Sequence, residues 1–209
     1  MKETDITFKD LTTKKKLQFI WDYYKIHIII TAVIICSIFS IVKTMRNNAS
    51  YDLYVAYINV TTSDGFTDSI EDISDLKMDN YTDLLITEDP QGQNLEYAYA
   101  SSMKVMSAIS AEKLDVVIAD SYGVEYANQS DYLVDLNEFL GEEDASLLPT
   151  LEPNFLYDAS GKAYAIDVSA LSPFKEARYT DSVYLGIVAS ENHQSEKAQF
   201  LSALASSAK

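Results

Sequence analysis

Two clusters of hydrogen-bonding side chains lie where a strand-like run gives out. Asn59, Thr61, Thr62 and Asp64 close the run YDLYVAYINV, and Asp120, Ser121 and Tyr122 follow LDVVIA. In open α/β sheets ligands sit beyond the carboxyl ends of the parallel strands, near a switch in strand order. Amide, hydroxyl and carboxylate groups placed there would hydrogen-bond a polar ligand, with Tyr122 as an apolar wall. The same residue types also make turns and helix caps, so both clusters have a structural reading beside the functional one.

Little else supports catalysis. The 209 residues hold one Cys and two His, which excludes an intrachain disulfide framework and a Cys-based zinc cluster and leaves almost no His-dependent chemistry. There is no nucleophile elbow, phosphate-binding glycine loop or metalloprotease helix. His193 lies in a polar turn before the last helical segment and reads as a surface residue. The acidic clusters Glu71, Asp72, Asp75 and Glu142, Glu143, Asp144 lack the alternating spacing and glycine of a calcium loop. No metal, cofactor or catalytic residue is expected.

The elements that would position the two clusters follow from hydrophobic periodicity. The run from Tyr51 reads as a strand, ended by turn residues at 61–65. A short helix near 66–73 follows, then a strand at 81–87 and a polar stretch at 88–94. Residues 95–111 place Leu95, Tyr99, Met103, Met106 and Ile109 on one helical face, which predicts that the two Met fill core. The apolar run at 114–119 is that of a strand buried on both faces, as in a parallel sheet covered by helices. Two short helices are expected over 122–141, mostly loop over 141–161, strands at 163–168 and 183–189, and a final helix at 195–206. The alternation predicts an α/β class with a layered, mostly parallel sheet.

Charge and hydropathy divide the chain. Residues 26–42 (IHIIITAVIICSIFSIV) contain no Asp, Glu, Lys or Arg, and a helix of that length approaches the thickness of a bilayer's hydrocarbon core. Six Lys precede the run, while Lys43 and Arg46 follow it. That bias predicts a cytoplasmic segment at 1–22, one transmembrane helix at 23–45 in contact with lipid, and an extracytoplasmic domain at 46–209. Trp21, Tyr23 and Tyr24 suit the inner membrane interface. Ile35 before Cys36 argues against lipoprotein acylation, and the length of the run argues for a retained signal anchor over a cleaved signal peptide. Of the 32 acidic and 16 basic residues, 28 and 8 fall at 47–209, a net charge of −20. Such a field repels nucleic acid and anionic lipid headgroups.

Three segments in order resemble bacterial extracellular solute-binding proteins of the type 2 periplasmic-binding fold. KLDVVIADSYGVEYANQSDYLVDLNEFL at 113–140 resembles the family's Asp-bearing strand, helix and leucine–Asp–leucine stretch. GKAYAI at 161–166 resembles its Gly-Lys-x-Tyr-apolar strand, and VYLGIVASENHQSEKAQFLSAL at 183–204 its late strand and helix. The matches cover about a third of the chain. Asp167 stands where the family usually has Pro, and the residues at 47–209 are too few for the family's two lobes. The resemblance implies a reduced, single-lobe, membrane-anchored binding protein without enzymatic activity, taking a small solute, in company with a transporter or alone. The alternative it implies is an accessory module of a membrane complex that has lost its small ligand and docks on a partner protein.

Overall fold

A computed structural model describes residues 13–48, 51–62, 65–87, 94–171, 174 and 182–207. The chain divides between Ser50 and Tyr51 into two units. The first holds α1 (Thr13–Asn48), a helix of 36 residues that extends past the expected 23–45 at both ends. Its described side chains, Trp21 and residues 24–40, are all exposed. Among the described residues no helix is long and apolar enough to cross a membrane. The expected apolar run falls only partly within them: the side chains of Ile41 and Val42 lie outside the described residues, as do residues 1–12.

The second unit is built on one sheet of six strands: β1 (Leu53–Ile58), β2 (Met78–Leu84), β3 (Val116–Ala119), β4 (Phe155–Tyr157), β5 (Ala163–Asp167) and β6 (Tyr184–Ile187), in the order β2-β1-β3-β6-β5-β4. β1 is parallel to both β2 and β3. β6 is antiparallel to β3 and β5, and β4 is antiparallel to β5. β1, β2, β3 and β5 therefore run one way, and the class is mixed α/β. The unbroken apolar runs of β1 and β3 are buried at every position, because helices cover both faces of the central strands.

Alternate residues of a strand point to opposite faces, and the core divides accordingly. On one face Val55, Tyr57, Val116 and Ile118 join side chains of α2 (Phe66–Ser74), α5 (Leu136–Glu143), α6 (Leu148–Leu151) and α7 (Gln194–Ser207). On the other, Ala56, Ile58, Val117 and Ala119 join Val105 of α3 (Leu95–Ser110) and Val124 of α4 (Ser121–Gln129).

Three expectations need correcting. β2 starts three residues before the expected 81–87, because its register is set by pairing Leu53 with Met78 and by Asp52, whose carboxylate accepts from Lys77 N–H at 2.8 Å. The region 141–161 is not mostly loop: it contains α6, two 3₁₀ turns and β4, elements too short to leave a periodic signature. The apolar stripe of α3 is turned outward. Leu95, Tyr99, Met103 and Met106 are 49, 67, 42 and 42% exposed, and the helix instead buries Ala98, Ser101 and Val105. Those small side chains admit close approach, and Ser101 Oγ accepts a hydrogen bond from Leu85 N–H at 3.1 Å. The two Met therefore do not fill core.

Candidate functional site

β1 leads through α2 to β2 on one side of it, and β2 leads through α3 to β3 on the other. The strand order thus switches between β1 and β3, and an open groove of about 940 Å³ lies at their carboxyl ends. Asn59, Thr61, Asp120, Ser121 and Tyr122 all line it. Thr62 is half-buried outside the groove lining, and Asp64 lies outside the described residues.

Asn59 is held in the left-handed region, φ 57°, which Asn tolerates better than most residues. There its amide behaves as an extra peptide unit of the sheet. Its Oδ1 accepts from Ile86 N–H at 2.8 Å and its Nδ2 donates to Ile86 C=O at 2.8 Å. The same Nδ2 lies 3.1 Å from both Oδ1 and Oδ2 of Asp120. Asp120 caps α4, its Oδ1 accepting from Gly123 N–H at 2.7 Å. Gly123 is required for this approach, since a Cβ there would stand 2.9 Å from Ala119 Cβ and 3.0 Å from Ile58 Cγ2. One carboxylate and one amide thereby fasten the ends of β1, β2 and β3 to the first turn of α4. The capping and the strand-end reading both hold for Asp120: its hydrogen bonds are structural, and its half-exposed carboxylate still forms part of the wall.

Sequence reading missed the rest of the wall. Asp83 and Thr87 come from the end of β2 and beyond, Tyr97 from α3 and Glu125 from α4. The Tyr97 hydroxyl donates to Asp83 C=O. Asp83 itself has φ 58°. Nothing in the local pattern marks these residues, because tertiary packing of α3 and α4 places them. Among the described residues the groove lining contains Asp83, Asp120 and Glu125 and no Lys, Arg, His or Cys. It can hydrogen-bond and attract positive charge; it offers no imidazole or thiol as a base or nucleophile.

A second cluster, also missed, closes the opposite end of the sheet. Asp115 is fully buried. Its Oδ2 accepts from Tyr54 N–H at 2.9 Å and lies 3.0 Å from His193 Nδ1. Lys197 Nζ, also fully buried, is 3.9 Å from Asp115 Oδ1 and donates to Ser190 C=O at 3.0 Å and to Ser190 Oγ at 2.8 Å. His193 is thus a half-buried partner of a carboxylate and not a plain surface residue. Burial lifts the Asp115 pKa, against the pull of Tyr54 N–H, His193 and Lys197, and burial lowers that of Lys197. The two acidic clusters have local duties: Glu71 accepts from Asn80 Nδ2 at 3.0 Å, and Asp144 caps the turn at Ser146.

No protein-family model matches the chain, and no curated protein or solved structure shows significant similarity to it.

Proposed function

We propose that this chain is a membrane-anchored, extracytoplasmic binding protein without enzymatic activity, similar to a single lobe of a type 2 solute-binding protein. The observation that carries the reading is the groove at the β1/β3 switch, where Asn59 and Asp120 meet at the place where open α/β sheets hold ligands. The anchoring rests on the uncharged run at 26–42 and its Lys-rich approach.

The openness of the groove favours the second version of this reading, an interaction module on a membrane complex. Small solutes are held by burying most of their surface, and the described residues form one sheet with a single wall at this end. A protein segment needs no second wall.

The test is thermal unfolding of the full-length chain in detergent against sugars, amino acids, short peptides and divalent cations. A ligand at about 100 times its Kd should stabilise by about 2.7 kcal/mol. Asp120→Asn, which keeps a capping side chain but removes the charge, should abolish the shift. A folded chain that shifts with no class of compound sinks the solute-receptor version and leaves the docking module, which the peptides below test.

A further inference from the structure

The outward face of α3 begins at the rim of the groove. Asn94 and Tyr97 belong to the wall, while Leu95, Tyr99, Met103 and Met106 form an exposed stripe along the helix. Contiguous large apolar side chains on a surface mark a place where something docks, and Tyr and Met are favoured at such contacts.

Charge selects what that is. Three carboxylates line the groove with no cation among its described lining residues, and Lys104, the one basic residue of α3, stands over the Tyr81 ring, 5.2 Å from its centroid. A second copy would bring its own net charge of −20 at 47–209 to the same place and would be repelled, as would an anionic headgroup. We infer that the N-terminal half of α3 and the groove together dock a basic amphipathic protein segment. Its apolar side chains cover Leu95, Tyr99 and Met103, and its Lys or Arg side chains enter the groove towards Asp83 and Glu125. Tyr97, about half exposed, also belongs to that wall. Apolar burial supplies most of the affinity and the carboxylates supply sign selection and association rate. This rests on the binding reading above and gives the partner its chemistry.

The probes are labelled peptides of about 18 residues, five helical turns, added to the full-length chain in detergent with empty micelles as the blank. One is a Leu/Lys helix, one its Leu/Glu counterpart and one a Ser/Lys peptide of equal charge. The Leu/Lys peptide should bind, the Leu/Glu peptide should not, and the Ser/Lys peptide should bind at least about tenfold more weakly. Tyr99→Ser with Met103→Ser, and separately Asp83→Asn with Glu125→Gln, should each weaken Leu/Lys binding about tenfold, the second pair also flattening its salt dependence. Glu142→Gln with Glu143→Gln, an equal change of charge on α5, should leave it unchanged. Equal loss from the α5 pair, or no loss from the other two, overturns the inference. If another class of ligand stabilises the chain through Asp120 while the peptides ignore the groove, the inference fails and the binding reading stands. If neither peptide nor any other class binds, both fail.

Discussion

β3 has an aspartate immediately before it and another immediately after it, and the two ends of the sheet use them differently. Asp115 is sealed from water and faces two basic side chains of the α7 region. Asp120 is half-exposed, its hydrogen-bond partners are an amide and a backbone N–H, and its neighbours on the groove wall are further carboxylates. Both carboxylates fasten chain segments together. One end is finished by the last helix folding over it, and the other is left open with an excess of negative charge. The closed end is built for stability, and the open end keeps exposed the surface on which we propose that a partner docks.

The sharpest way to break this contrast is to remove Asp115. Asp115→Ala strands a buried Lys197 and leaves Tyr54 N–H without its acceptor, so unfolding in urea should show a loss of about 3–5 kcal/mol. Adding Lys197→Met should recover part of it, because neighbours of this kind do not contribute additively. A loss below about 1 kcal/mol would remove the distinction between the two ends. The pH dependence has a definite sign. The folded protein holds the Asp115 proton more tightly than the unfolded chain, so this group's contribution declines as pH rises above the ordinary value of 3.8.

The central strands could be read from sequence because their burial on both faces leaves an unbroken apolar run, as at 114–119 and in β1. The strand-end residues Asn59 and Asp120 could be read with them, since a strand that ends so abruptly fixes where its next side chains must lie. Edge strand β2 could be placed only in part, the expected 81–87 overlapping the observed Met78–Leu84, because the middle of MDNYTDL is polar and half-exposed. The stripe of α3 shows the limit of periodicity: Leu95, Tyr99, Met103 and Met106 do share one face of a helix, but Ala98 and Ser101 decide which face turns inward. His193 and Lys197 look polar in sequence, and only the fold brings Asp115, 78 residues from His193, against them.

At the open end the effects should be smaller. Gly123→Ala forces a methyl group against Ala119 and Ile58, costing about 1–3 kcal/mol, and should disturb the groove measurably by the loss of peptide binding. Asp120→Ala removes a helix cap and the Asn59 contact and should cost about 0.5–2 kcal/mol, read as a lowered melting temperature. If either cost exceeds that of Asp115→Ala, the open end is the structural one and the comparison is reversed.

The smallest effect is expected away from both ends, at the turn between β4 and β5. Asp158 Oδ1 accepts from Ser160 Oγ, Ser160 N–H and Lys162 N–H, and its other oxygen from Asn128 Nδ2. The Ser160 hydroxyl leads in holding its pKa down to about 2. Its contribution to stability is present above the ordinary 3.8 and is lost as pH falls towards about 2. Asp158→Asn should flatten the stability profile in that window and nowhere else, which denaturation at a series of pH values would show.

The position of β6 has a consequence for how the protein is made. β6 lies between β3 and β5, yet it follows all the other described strands in the chain. During synthesis β3 and β5 therefore present unpaired inner edges until residues 184–187 emerge, and such edges are where newly made chains associate wrongly. The sheet is completed from its middle, by a segment made after both of its neighbours and before the α7 region that brings His193 and Lys197 to Asp115. Nascent chains arrested before residue 184 should remain open to protease throughout 51–171, and full-length chains should gain protection there in a single late step.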